Sequence, residues 1–320
     1  MANTNATATV WNCPNYTGEL YLIGANQTPF LNMIGGLQEG LVRTVNSFEF
    51  PLAQPWSLES AAQPAVTETA SLTAPNPWTY VRGQDTNTVQ IFHRAVTVSY
   101  AKQSVTGSVV ADATTGLVDM NENQPIQNEK DFQITAHMRQ IAVNADYTFL
   151  NGEYQKATDA GTAAKARGVI TACVSNSVNA GSAALSRTLI NQLIRTMAAS
   201  GAEFINPVIF CNAFQKQKIS EIYGYAPDSR NVGGININQI ETDFAVIGVV
   251  WAPNVPASTL LISDLAVCRP VFLPVPEKGV LFYEELSKTG AAEKGQIYGQ
   301  IGIDYGPEEY HGKITSLATS

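Results

Sequence analysis

Hydrophobic positions along this chain switch between two spacings, and the switches mark out its elements. Between 44 and 58, Val45, Phe48, Phe50 and Leu52 sit at strand-like intervals, interrupted by Pro51 and Pro55. A second strand run covers 86–101. There Val89 and Ile91 alternate, then Val96, Val98 and Tyr100 resume on the opposite phase, which predicts a bulge near His93. The stretch between the runs, 58–77, is rich in Ala, Thr, Ser and Pro and has too little apolar mass for a core. The two runs with this tip predict a long two-stranded projection. Such a ribbon is marginal alone in water and needs another surface.

The spacing then changes to three and four. Ile134, Met138, Ile141, Ala145 and Phe149 line one face of a helix predicted over 126–150, with Pro125 near its start and Asn151-Gly152 stopping it. At 1.5 Å per residue this helix is roughly 37 Å long. Residues 153–185 are rich in Ala, Gly and Ser and read as mostly loop. A second helix follows over 188–199, with Leu189, Leu193 and Met197 on one face and Gly201 closing it. A short apolar strand covers 207–211. Asn212 caps a helix running through Ile222, and Gly224 ends it. Strand runs at 235–241 and 244–251, joined by the turn Thr242-Asp243, complete a compact α/β unit. Residues 260–263 read as a strand, and 280–286 with 296–305 as a hairpin around the loop 288–295. Ile297, Ile301, Ile303 and Tyr305 share one parity, so one face of the last arm is buried. No repeat occurs at a solenoid period. The fold class is α+β.

Composition sharpens this picture. The 320 residues are 45 % hydrophobic, enough for a substantial core, yet only 14 % charged against an ordinary value of about 25 %. A surface so poor in charge relies on Asn, Gln, Thr and Ser, or is covered by partners. The first 38 residues hold one charge, Glu19, and read as an extended arm that orders against a neighbour. Tyr21, Leu22, Ile23, Phe30, Leu31 and Ile34 are its adhesive points. The net charge of −8 opposes a grip on nucleic acid, and Lys216 with Lys218 is the nearest approach to a basic cluster. An acidic container into which DNA is pumped remains compatible with that charge. Cys13, Cys173, Cys211 and Cys268 form no CxxC and read as free thiols in a reducing cytoplasm. The start has neither a basic nor an apolar signal region, and no apolar run approaches ~20 residues, so neither secretion nor a membrane is expected. The sequons at Asn5, Asn15 and Asn26 then read as chance.

Candidate chemistry is sparse. The three histidines, His93, His137 and His311, stand in no metal-ligand spacing and read as structural. Glu284-Glu285 and Glu308-Glu309 are adjacent pairs, which a strand would point to opposite faces. Glu122 and Glu129 flank the start of the long helix, and Glu129 suits its positive end. There is no G-x-S-x-G, P-loop or G-x-G-x-x-G pattern. Lys288-Thr289-Gly290 has the letters of a penicillin-binding box but no S-D-N accompanies it, so it reads as a hairpin loop. No catalytic, cofactor-binding or metal residue is assigned. Trp56 and Trp78 flank the Pro-rich excursion, where they either stack on a neighbouring subunit or hold the base of the projection.

The order of parts resembles the Hong Kong 97-type capsid fold of tailed bacteriophages. Specific stretches carry the likeness. Glu284-Glu285-Leu286-Ser287-Lys288-Thr289-Gly290, followed by Gly295-Gln296-Ile297-Tyr298-Gly299-Gln300, is similar to the C-terminal strand, K-T-G loop and final strand of one large group of phage capsid proteins. Thr28-Pro29-Phe30, Ala145-Asp146-Tyr147-Thr148-Phe149-Leu150-Asn151-Gly152 and Thr242-Asp243-Phe244-Ala245-Val246-Ile247 resemble its N-terminal part, spine-helix end and central turn. Where related chains often place an acidic residue directly after the loop glycine, this one continues Ala291-Ala292-Glu293. The resemblance implies an N-terminal arm (1–43), an E-loop β projection (44–105), a P-domain with spine helix (106–165), an α/β A-domain (166–258) and closing P-domain strands (259–320). It implies a major capsid protein that assembles with itself, as hexamers and pentamers, into an icosahedral shell. The shell would enclose double-stranded DNA without sequence-specific binding, with the E-loop lying across a neighbour. Portal, scaffolding and decoration proteins are the further partners implied. The location implied is the virion capsid, assembled in the bacterial cytoplasm. Two rivals are an encapsulin-like compartment shell with the same fold and, from a different class, a soluble hydrolase with a pocket.

Overall fold

The computed structural model of the chain describes residues 27–37, 43–106, 128–224 and 238–319. Most of the arm, the sequons, Cys13, Pro125 and the start of the 235–241 run lie outside the described residues. In chain order the elements are α1 (Pro29–Met33), β1 (Arg43–Thr44), β2 (Glu49–Pro51), α2 (Glu68–Ser71), β3 (Thr86–Thr88), β4 (Gln90–Ser99) and α3 (Tyr100–Thr106). Next come α4 (Glu129–Asn151), α5 (Val169–Ala172), β5 (Ser177–Asn179), α6 (Arg187–Ala199), β6 (Pro207–Cys211) and α7 (Ala213–Tyr223). The rest are strands: β7 (Gln239–Glu241), β8 (Val246–Trp251), β9 (Leu260–Asp264), β10 (Arg269–Phe272), β11 (Leu281–Leu286), β12 (Ala292–Asp304) and β13 (His311–Thr315).

Two sheets organise the described residues. One runs β1-β10-β12-β11, with β4 also paired to β12; the other runs β5-β13-β9-β6-β8-β7. The stretch 259–320, read as one unit, serves both sheets: β9 and β13 belong to the second, β10 to β12 to the first. The first core lies between the first sheet and α4, where Ile141, Ala145 and Phe149 meet Val96, Val98, Ile297 and Ile301. The second lies between the other sheet and α6, through Ile190, Leu193, Met197, Ile209 and Ile262. The central strands β6 and β9 are buried at every position, because their other face, with Val208, Phe210 and Leu261, joins the first core. That double burial is why 207–211 reads as an unbroken apolar run. Among the described residues no helix is long and apolar enough to cross a membrane.

The helices start where side chains can satisfy their free amides. Asn128 caps α4, Ser186 caps α6 and Asn212 caps α7, each side chain accepting from first-turn N–H groups. The apolar stripe of α6 is turned slightly from the expected one: Ile190 and Ile194 are buried with Leu193 and Met197, while Leu189 is only partly covered. β13, absent from the sequence reading, lies beneath α6. A Cβ at Gly312 would come within 2.6 Å of Met197 Sδ, so glycine there permits the close approach.

Two expectations in the N-terminal half are corrected. The runs at 44–58 and 86–101 do not form a long ribbon; their strand pairing covers Glu49↔Thr88 to Pro51↔Thr86, with single backbone rungs on either side of it. The second run continues into the body as β4 and pairs with β12 over ten positions, from Ser99↔Ala292 to Gln90↔Ile301. This register is unbroken, so the bulge near His93 is absent. The slip in phase arose from Val89, which lies between β3 and β4 and bonds to Phe48. Within β4 the inward residues are Phe92, Val96 and Val98, and Ile91 is 48 % exposed. The β11–β12 loop is also shorter than the predicted 288–295, since β12 begins at Ala292.

Candidate functional site

The side chains with chemical potential are occupied in holding the fold. His311 is fully buried, with Nε2 2.6 Å from the Tyr305 carbonyl oxygen. Only an N–H satisfies that acceptor, so Nδ1 accepts from Ser263 Oγ at 3.0 Å. Burial lowers its pKa and keeps it neutral. His137 is half-buried on α4, its pKa lowered by burial and by Arg94. His93 is exposed on β4, 3.0 Å from Gln296 Oε1. Among the described residues no three His, Cys, Asp or Glu side chains gather as a metal site. Cys173, Cys211 and Cys268 are free and buried, and burial pushes each thiol up to about 12, which disfavours the reactive thiolate.

The carboxylates diverge. Glu284 pairs with Lys278 at 2.5 Å, whereas Glu285 reaches Lys130 at the start of α4. Glu308 accepts from Val174 N and Ser175 Oγ at 2.8 and 2.6 Å, while Glu309 does not share that contact. Glu129, 4 % exposed, sits in the first turn of α4 and pairs with Lys102 at 2.5 Å. Glu122 lies outside the described residues. In the hairpin loop, Lys294 donates to Thr289 Oγ1 and Lys288 lies 5.5 Å from the Tyr100 ring.

What the structure leaves unsatisfied is surface. Every residue from 54 to 85 is exposed, including Trp56 (59 %), Leu72 (84 %) and Trp78 (70 %). Two backbone rungs close the base of this projection: Leu52 N to Asp85 O and Gly83 N to Pro55 O, each 2.9 Å. Beyond them the backbone hydrogen bonds are those of α2, whose cap Thr67 accepts from Ala70 N. Trp56 meets Tyr80 edge-on at 6.2 Å, so it does help hold the base; Trp78 has no such ring contact. An apolar excursion of this length with no core of its own is a surface waiting for a partner.

A second unfilled surface is a groove of about 430 Å³ between β4 and α4. Ile91, Phe92, Ile141 and Tyr147 form its apolar walls, with Arg94 and Asn144 among its polar groups. Sequence reading missed this groove, because it joins segments about 50 positions apart. It also missed Asp146, fully buried at the end of α4. Its carboxylate accepts from Leu31 N at 2.9 Å and Asn254 Nδ2 at 2.7 Å, tying α1 and the 252–259 segment to α4. A polar letter inside the apolar stripe of a long helix was the available signal.

Comparisons with known proteins agree with a surface built for assembly. The model of the SU10 major capsid protein family matches residues 2–318. No curated protein matches the chain. Among solved structures, the capsid asymmetric unit of cyanophage A-1(L) has a TM-score of 0.61 at 12 % identity, covering 100 % of both chains. The capsid of a native GTA particle has a TM-score of 0.60 at 12 % identity, covering 96 % of each. The SrpI encapsulin of Synechococcus elongatus PCC 7942 scores 0.55 at 8 % identity, covering 96 % of this chain and 94 % of that one. These likenesses show a shared fold.

Proposed function

The chain belongs to the SU10 major capsid protein family, and from that premise we propose that its copies close into an icosahedral phage head around double-stranded DNA. It is a structural shell protein of the virion, with the Hong Kong 97-type fold. In the finer reading, hexamers and pentamers form the shell, and subunits catalyse nothing. DNA is enclosed without sequence-specific contacts, as the net charge of −8 favours. Assembly takes place in the bacterial cytoplasm, with portal, scaffolding and decoration proteins as further partners. The E-loop is residues 53–85, the P-domain the α4 layer with the first sheet, and the A-domain the second sheet with α6 and α7.

The observation that carries this reading is the projection. It exposes Trp56, Leu58, Leu72, Trp78 and Val81 along a segment tied to its own body at one end. A monomer gains nothing from such a surface. A shell subunit gains contacts repeated around every ring, several modest interfaces acting together.

Deleting 57–77 tests it. The removed residues contribute nothing to either core, so circular dichroism and the melting temperature should stay close to those of the full chain. Electron microscopy should show shells for the full chain and few or none for the deletion. A well-folded full chain that stays monomeric under all assembly conditions would overturn the shell reading. Nucleic acid inside the particles separates a phage head from a compartment carrying a cargo enzyme.

A further inference from the structure

We propose that the loop after α4, residues 153–168, clamps the root of the projection, with Arg167 as the positioning residue that fixes the angle at which the projection leaves the body. This rests on the shell reading and deepens it, because a projection held at one angle loses less freedom when it meets a partner. The inner layer of the clamp is neutral and buried. Asn87, on β3, is fully buried. Its amide donates to Ile303 O at 2.8 Å and Arg167 O at 3.2 Å, and accepts from Arg167 N at 2.8 Å. Thr88 Oγ1 donates to Lys165 O at 2.7 Å. Buried bonds between neutral groups are little affected by salt, so this layer holds β3 to the loop and to β12 under all conditions.

The outer layer is charged and partly exposed. Arg167 Nη1 donates to Oδ2 of Asp85, the last residue of the projection, at 2.9 Å. The Tyr305 hydroxyl lies 3.4 Å from both groups. Tyr305 is buried in the first core, and burial raises its pKa, so the phenol stays protonated and donates toward Asp85. The Arg167 guanidinium also lies 4.9 Å from the Tyr154 ring. One side chain thus joins the returning limb of the projection to the loop and to the residue after β12. On the other strand of the root, Lys156 of the same loop pairs with Glu49 of β2. The Tyr154 hydroxyl donates to that carboxylate at 3.4 Å. Each strand of the root is therefore gripped by one cation of one loop. A partly exposed ion pair is weak alone. Here it opposes little: residues 54–85 are exposed throughout and have no core of their own, so the few contacts at the root decide their direction.

Hydrogen exchange on the unassembled full chain tests the clamp. It is read at the Leu52 and Gly83 amides, which donate across the root, with the β4 amides bonded to β12 as the internal reference. Arg167→Met keeps an apolar stem beside Tyr154 and removes the charge. It should speed exchange at Leu52 and Gly83 about tenfold, with β4 unchanged and a melting temperature close to that of the unaltered chain. Asp85→Asn removes the charge from the exposed partner, where no core contact is at stake. It should act in the same direction, and it decides the matter should Arg167→Met melt early. Arg167→Lys keeps the cation and should fall between the unaltered chain and Arg167→Met. Raising salt from about 0.1 M to about 1 M shortens the Debye length from about 10 Å to about 3 Å. That change should speed the two amides in the unaltered chain and leave them as they are in Arg167→Met. Unchanged exchange in both charge-removing variants, an equal rise in β4, or a salt response that survives Arg167→Met would overturn the proposal. Each of these outcomes leaves the shell reading standing. A chain that never assembles would end the shell reading and leave the clamp to be judged by exchange alone.

Discussion

Asp146 shows how a single polar residue can fasten three segments and still be costly. Burial raises the pKa of its carboxyl, a larger effect than the opposing hydrogen bonds from Asn254, Leu31 and Phe30. A raised folded-state pKa means the folded protein binds this proton more tightly than the unfolded chain. Its contribution is therefore full below the unfolded value of about 3.9 and is lost as pH rises through the raised folded value. At neutral pH the ionised form is the expensive one. Asp146→Asn keeps an oxygen for the Leu31 amide, and Asn254 can turn its amide to match. We expect this variant to melt no lower than the parent at pH 7, with any advantage shrinking as pH falls toward about 4. Asp146→Leu instead leaves a buried N–H unpaired, and a loss of about 1–3 kcal/mol follows. Thermal melts across pH decide it: a large loss for Asp146→Asn at pH 7 would mean that the charge itself holds α1.

At the scale of elements, what could be read from the sequence was local, and what could not was distant. β6 was bounded correctly because all five of its residues are apolar and Asn212 stands directly after it as a cap. β12 revealed its buried face through Ile297, Ile301 and Ile303 in one parity. The partner of β4 lay hidden, since the β12 residues it bonds are about 200 positions away and no local pattern names them. That choice decided whether residues 90–99 belonged to a projection or to the body, and with it the existence of the groove. Glycines mark another long-range meeting. A Cβ on Gly168 would lie 2.6 Å from the Leu150 carbonyl and the Gly152 nitrogen, where the loop after α4 doubles back over its end. Backbone on both sides cannot yield as a side chain can. Gly168→Ala should thus cost about 1–3 kcal/mol, the range of overpacked interiors, measurable as a lower denaturant midpoint. An unchanged midpoint would show that the loop is free to shift.

For the whole molecule, the low charge and the bare projection imply a shell held by burial of apolar surface across many weak contacts, and lysine placement bears on whether covalent bonds add to them. Some capsids of this fold weld an E-loop lysine to an asparagine on a neighbour. Here the chain has no lysine before Lys102. The whole projection thus lacks the amine nucleophile, and Arg82 cannot replace it, because its guanidinium stays protonated. Lys102 sits in α3, past the end of β4, with its side chain 19 % exposed and paired to Glu129 at 2.5 Å. That position is on the body, far along the chain from the 53–85 excursion, and its ammonium is engaged with a buried carboxylate rather than presented to a neighbour. Mature particles boiled in denaturing detergent should therefore run as a single band near 34.4 kDa, with or without reductant. A covalent ladder that survives reductant would refute this and would place the cross-linking amine on the body of the subunit.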